Sequence, residues 1–171
     1  MPGKTQSNFI WLGEGVTLVR SVQADYDWIN AHLRAADRAE TQVFEGGRPD
    51  SLADMDESWT IRDGAALVGF AALKSFPGES ALSRRRFIVE LTTTYVERIK
   101  IKYVRFSRAV LAALAANAPS WVEDFYTLPM ESYTGAVEWD ARILKMRPVK
   151  RIVANGVGHV LFHITRKEAL S

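Results

Sequence analysis

Apolar and polar positions change their spacing twice between Phe87 and Pro119, and the rest of the chain is organised around that stretch. From Phe87 to Val96 the residues run apolar and β-branched (Ile88, Val89, Thr92, Thr93, Thr94, Val96), which predicts a buried strand. From Lys102 to Ala116 the apolar residues recur at three and four: Tyr103, Val104, Ser107, Val110, Leu111 and Leu114 share one helical face. Pro119 marks the stop. A strand therefore feeds a long helix through a turn that carries Thr93, Thr94, Arg98 and Lys100. Free backbone N–H groups and cations at such a turn suit an anionic ligand.

Upstream, residues 1–15 read as an irregular lead-in with an apolar patch at Phe9–Leu12. Val16–Val22 reads as a strand. Asp25 and Asp27 open a helix, stabilised by its dipole, that runs to about Ala39 through Tyr26, Ile29, Leu33 and Ala36. Gly46, Gly47 and Pro49 break the chain, and Asp50 is placed to cap a short helix. Trp59–Arg62 and Ala65–Leu73 are strands joined at Asp63-Gly64, a hairpin signal. Lys74–Arg86 reads as an exposed loop. Downstream, Val122–Leu128 is a strand and Ser132–Lys145 a helix with Ala136, Trp139, Ile143 and Met146 on its stripe. Val149–Ala154 and Val157–Thr165 flank Asn155-Gly156, the strongest hairpin signal in the chain. The order predicts an α/β mixed sheet of roughly six to seven strands, mostly antiparallel, with helices on its faces. At 171 residues, positions 16–171 read as a single domain.

Composition narrows the chemistry. There are no cysteines, which excludes disulfides, thiolate metal sites and cysteine nucleophiles. No apolar run reaches a membrane-spanning length, and the first residues have no signal-peptide pattern. The net charge is only +2, but eight cations lie between Arg84 and Arg108 against two acids, Glu90 and Glu97. Arg84, Arg85, Arg86 and the basic helix can face a phosphate, a nucleic acid or an acidic partner, or form an ordinary solvated face.

Glu90 sits among Phe87, Ile88, Val89 and Leu91. A carboxylate there is either a cleft group with a raised pKa, suited to act as a base, or the partner of a nearby arginine; the ion pair is the simpler reading. Asp54, Asp56 and Glu57 offer an acidic site for an amine or an exposed helix end. His159 and His163 are four residues apart on a strand, roughly 13 Å, too far for one metal ion. No metal site is expected. Of five tryptophans, most should be core, with one or two marking an interface.

The element order resembles the GNAT (GCN5-related acetyltransferase) fold from about Val16 to Lys167. In that family an Arg/Gln-x-x-Gly-x-Gly/Ala turn holds the pyrophosphate of acetyl-CoA through backbone N–H groups. The equivalent stretch here is Arg98-Ile99-Lys100-Ile101-Lys102-Tyr103, with the arginine present and both small residues replaced. The family's tyrosine acid has no match at Ala141–Ile143, and Tyr133 is early for it. The stretch from Arg142 to Lys167 is also similar to a small GNAT-like internal virion (core) protein of short-tailed phages, through Arg142-Ile143-Leu144-Lys145 and Leu161-Phe162-His163-Ile164-Thr165. That second likeness implies a bacteriophage virion or morphogenesis protein without efficient catalysis. It would be made in the host cytoplasm, assemble with other virion proteins and need no cofactor. The alternative is an active acetyl-CoA-dependent N-acetyltransferase, with Thr93, Thr94, Arg98 and Lys100 on the cofactor and Glu90 as base.

Overall fold

The computed structural model describes residues 8–45 and 51–171. Its elements, in chain order, are β1 (Phe9–Gly13), β2 (Val16–Arg20), α1 (Gln23–Ala31), α2 (Ala35–Glu45), β3 (Glu57–Asp63), β4 (Ala66–Lys74), β5 (Arg85–Thr92), α3 (Lys100–Asn117), β6 (Asp124–Thr127), α4 (Thr134–Glu138), β7 (Arg147–Ala154), β8 (Val157–Thr165) and α5 (Arg166–Ala169). One sheet runs β1-β2-β3-β4-β5-β6-β8-β7, antiparallel throughout except for the parallel pair β5–β6. Helices cover both faces. The α3 face packs Val16, Trp59, Val68 and Leu73 of the sheet against Phe106, Val110 and Leu114. The other face packs Tyr26, Ile29 and Leu33 on Phe70 and Ala72.

The mixed α/β sheet agrees with the reading from the sequence, and the differences are local. The lead-in contributes a strand: β1 pairs antiparallel with β2, and the turn between them is Gly13-Glu14-Gly15. This raises the described strand count to eight. The single helix expected from Asp25 to Ala39 is two, broken where Leu33 forms a β-bridge to Thr93. Gly46 to Asp50 lie outside the described residues. The short 3₁₀ turn at Leu52–Asp54 is capped by Ser51, whose hydroxyl and the Asp54 carboxylate form a capping box. The helix expected over Ser132–Lys145 is α4 followed by a π turn, Trp139–Ile143. Asn155 and Gly156 both take positive φ in the β7–β8 turn, as that dipeptide favours.

Among the described residues no helix is long and apolar enough to cross a membrane. Of the tryptophans, only Trp59 is fully buried, while Trp28, Trp121 and Trp11 are exposed, Trp11 at 67%. The expectation that most would be core therefore fails. Three stand where α1, a loop and an edge strand meet solvent.

Candidate active site

The site begins with a mismatch of strand lengths. β5 and β6 pair only through Arg85–Asp124, Arg86–Phe125 and Phe87–Tyr126. Beyond Phe87, β5 continues to Thr92 while β6 ends at Thr127 and the chain leaves through Leu128 and Pro129. The sheet splays open there. Among the described strands, none pairs with Ile88–Thr92 on that side. The wedge is a cavity of about 850 Å³, roofed by α3 and α4 and flanked by α2.

Glu90 lies half-buried on the β5 wall. Tyr103, one turn into α3, donates its Oη–H to Glu90 Oε1 and stacks on Trp139 at 5.4 Å. Burial raises the Glu90 pKa, and the Tyr103 hydrogen bond offsets part of that rise. Burial and the adjacent carboxylate push the Tyr103 phenol well above 10. The arginine ion pair expected from the sequence does not form; the partner is a phenol.

Three further carboxylates converge on the wedge. The α1–α2 break is tied to the end of β5 and the turn after it by two backbone bonds, Arg34 N–H to Thr92 O at 3.1 Å and Thr94 N–H to His32 O at 3.3 Å. This brings the first turns of α2 against the opening. There Asp37 accepts from Arg34 Nε at 2.8 Å and from Thr92 Oγ1 at 2.9 Å. Burial raises the Asp37 pKa. Glu40 accepts from the Met130 N–H at 3.0 Å, and burial carries its pKa to about 7. On the opposite wall the π turn turns Asp140 inward, where Thr127 Oγ1 donates to its Oδ2 at 2.6 Å. Its pKa also reaches about 7, chiefly through burial. Tyr133 lines the same wall below the Arg34 guanidinium, which lies 5.9 Å from the ring centre, and burial raises its pKa above 10.

The sequence candidates divide. Glu90 and Lys100 line the wedge. Thr93 does not: it is buried, and its hydroxyl donates to Leu67 O and Val68 O while accepting from the Tyr95 N–H. Thr94 is exposed on the turn, and the Arg98 guanidinium lies 6.0 Å over the Tyr95 ring. Ile101 is 74% exposed, and Tyr103 points inward to Glu90. Asp54 lies at the rim, while Asp56 pairs with Arg86 and Glu57 with Arg20. His159 is buried with Nδ1 at Val157 O, and His163 bonds Asp124.

The basic stretch loses its isolation. Arg84 pairs with Glu123, Arg85 with Glu79, Arg86 with Asp56, Lys100 with Glu97, Lys102 with Asp63 and Arg105 with Glu14. Of the arginines considered for a nucleic-acid contact, Arg86 is buried, while Arg84 and Arg85 remain exposed. Sequence reasoning missed Asp37, Glu40 and Asp140. The sequence carries no signal that separates them: each stands beside an amphipathic stripe and reads as its polar edge.

Two features of the wedge suit a coenzyme A chain. The open β5 edge offers backbone groups to an amide-bearing arm. The first turn of α3 has no side-chain cap at Ile99, so the N–H groups of Lys100, Ile101 and Lys102 remain available beside the Lys100 ammonium. No residue from Thr94 to Tyr103 takes positive φ, so this turn forms without the family's glycines.

No protein-family model matches the sequence, and neither does any curated protein sequence. Solved structures do match. The aminoglycoside acetyltransferase AAC(6')-Ib in complex with coenzyme A superposes with a TM-score of 0.64 at 17% identity, over 90% of this chain and 96% of that one. The fold is that of the GNAT acetyltransferases. The spermidine N-acetyltransferase of Vibrio cholerae, bound to CoA and spermine, gives a TM-score of 0.61 at 12% identity, over 93% and 100% of the chains. RimL, a ribosomal alpha-N-protein acetyltransferase in complex with coenzyme A, gives 0.65 at 9%, over 92% and 97%. These neighbours correct the expectation of a phage virion protein with no cofactor. All three are named as acetyltransferases and were solved with coenzyme A. The short C-terminal motifs behind that expectation describe a helix end and a strand that this fold supplies in any case.

Proposed function

We propose that this protein is an acetyl-CoA-dependent N-acetyltransferase acting on an amine. The observation that carries the reading is Glu90: a desolvated carboxylate, held by Tyr103, on the wall of the wedge where β5 and β6 part. Backbone along Ile88–Thr92, the α3 N-terminus and Lys100 are the groups that would hold the cofactor. Acetyl-CoA, when bound, supplies the acetyl group as a reactive thioester. Glu90 takes the proton that an ammonium must lose before its nitrogen can attack, and its raised pKa suits that transfer near neutral pH. Tyr103 fixes the carboxylate's orientation. Tyr133 Oη keeps its proton at neutral pH and is the candidate donor on the opposite wall. The acid-lined cavity favours a cationic acceptor over an anionic one.

The test is thermal unfolding with and without millimolar acetyl-CoA, followed by detection of free thiol released with amines. A ligand at about a hundred times its Kd adds roughly 2.7 kcal/mol, several degrees in a domain of this size. No stabilisation together with no thiol release removes the reading.

A further inference from the structure

The mouth of the wedge carries a chain of ion pairs that the chemistry above does not use. Glu97, in the turn between β5 and α3, meets a different cation with each oxygen. Its Oε2 takes Lys100 Nζ at 2.5 Å, and its Oε1 lies 3.8 Å from Arg34 Nη1. Arg34 donates its Nε–H to Asp37 Oδ2 at 2.8 Å, and that oxygen also accepts from Thr92 Oγ1 at 2.9 Å. The chain thus runs Lys100–Glu97–Arg34–Asp37–Thr92, from the start of α3 over to the head of α2 and back to the end of β5. All five residues line the cavity.

The links are not equally firm. The Asp37 side chain is 6% exposed, against 47% for Glu97 and 69% for Lys100. Water and salt screen an exposed pair and spare a buried one. Arg34–Asp37 is therefore the fixed end, and Glu97–Lys100 is the link that opens at small cost. The Lys100 hydrogen bond holds the Glu97 carboxyl below its ordinary range, and Arg34 adds to the effect, so Glu97 is charged at neutral pH.

An acid near a helix N-terminus is ordinarily stabilising. Here it also stands among the groups proposed to meet the cofactor's phosphates, the uncapped start of α3 and Lys100. Glu97 does there what a phosphate would do: it neutralises Lys100. A phosphate that takes Lys100 faces the carboxylate at close range, and the two anions repel. Glu97 has a second cation, Arg34, on its other side.

We infer that Glu97 is a positioning residue that serves as a built-in counter-anion: it holds Lys100 while the cofactor is absent, gives it up to the cofactor's phosphates, and closes on Arg34, so that filling the α3 end of the wedge is felt at the head of α2. The assignment rests on the N-acetyltransferase reading and deepens it. Removing the Glu97 charge leaves Lys100 ready for the phosphates, so the cofactor binds more tightly. It also cuts the chain, so Arg34 no longer responds.

Isothermal titration of coenzyme A into wild type, Glu97→Gln, Lys100→Met and the double variant reads the first effect. Kd should fall about two- to fivefold in Glu97→Gln at low salt, the gain should shrink at high salt, and little of it should remain where Lys100 is already Met. The Arg34 Nε–H resonance, followed by proton–nitrogen correlation NMR, reads the second: coenzyme A should shift it in wild type and leave it in place in Glu97→Gln. Both substituted side chains are exposed, and the titration fits the binding-competent fraction separately from Kd, so partial unfolding does not imitate the result. A Kd that is unchanged or weaker in Glu97→Gln, a gain of the same size in the Lys100→Met background, or an Arg34 signal that responds alike in wild type and Glu97→Gln overturns the inference while leaving the acetyltransferase reading in place. Absence of coenzyme A binding to every form, with no thiol release from acetyl-CoA, overturns both.

Discussion

At the scale of single residues, the Glu90–Tyr103 pair makes two opposed demands. Desolvation raises the carboxyl pKa, and the phenol's hydrogen bond restrains the rise. Glu90→Gln should lower kcat by about 100-fold or more, the usual contribution of a general base, and steady-state rates on an amine check it. Tyr103→Phe removes the restraint, so the acidic limb of the kcat/KM profile should move to higher pH; a limb that stays put, or moves down, would contradict the pairing. Gly69 is a quieter requirement. A Cβ there would stand 2.5 Å from Leu91 O, on the strand that carries Glu90. Gly69→Ala should cost about 1–3 kcal/mol by forcing β4 and β5 apart, visible as a lower urea midpoint. Glu90 was legible in the sequence because it interrupts an apolar run. Glu40 and Asp140 were not, because an acid beside an amphipathic stripe reads as the stripe's polar edge until the partner elements are in place.

At the scale of elements, the long strand and the long helix were legible because each repeats its own period for many residues. What escaped was decided by neighbours. The α1–α2 break forms because Leu33 bridges to Thr93, sixty positions away in sequence, and no local breaker announces it. The π turn is likewise a tertiary choice, placing Asp140 on Thr127 and Leu144 in the core. The partners of the basic stretch escaped for the same reason: its acids arrive from Glu14, Asp56, Asp63, Glu79 and Glu123. The N-terminus of α3 keeps one cation at the wedge, Lys100, held by Glu97. Lys100→Met should weaken acetyl-CoA binding about two- to fivefold, less at high salt, as isothermal titration would show. An unchanged Kd would mean that the backbone groups alone serve the phosphates.

At the scale of the whole molecule, the acids of the wedge make stability depend on pH in an unusual direction. Glu40 and Asp140 hold their protons to about pH 7 when folded but release them near pH 4 to 4.5 when unfolded. Between those limits the folded state binds more protons, so stability present at pH 5 is progressively lost as pH rises to 7. Urea midpoints should therefore fall from pH 5 to 7.5; a midpoint that climbs over that range would count against both assignments. The splay has a further consequence, in the order of assembly. β3 to β5 pair with their neighbours through short connections, whereas β2 reaches β3 only over α1 and α2, and β6 must cross over α3 to reach β5 and then waits for β8. Such local closures form early, and crossovers late. Pulse-labelled hydrogen exchange should find the amides of β3–β5 protected before those of β6. A chain emerging from the ribosome would thus build one jaw completely before the other exists, and the opening between them would be the last joint to set.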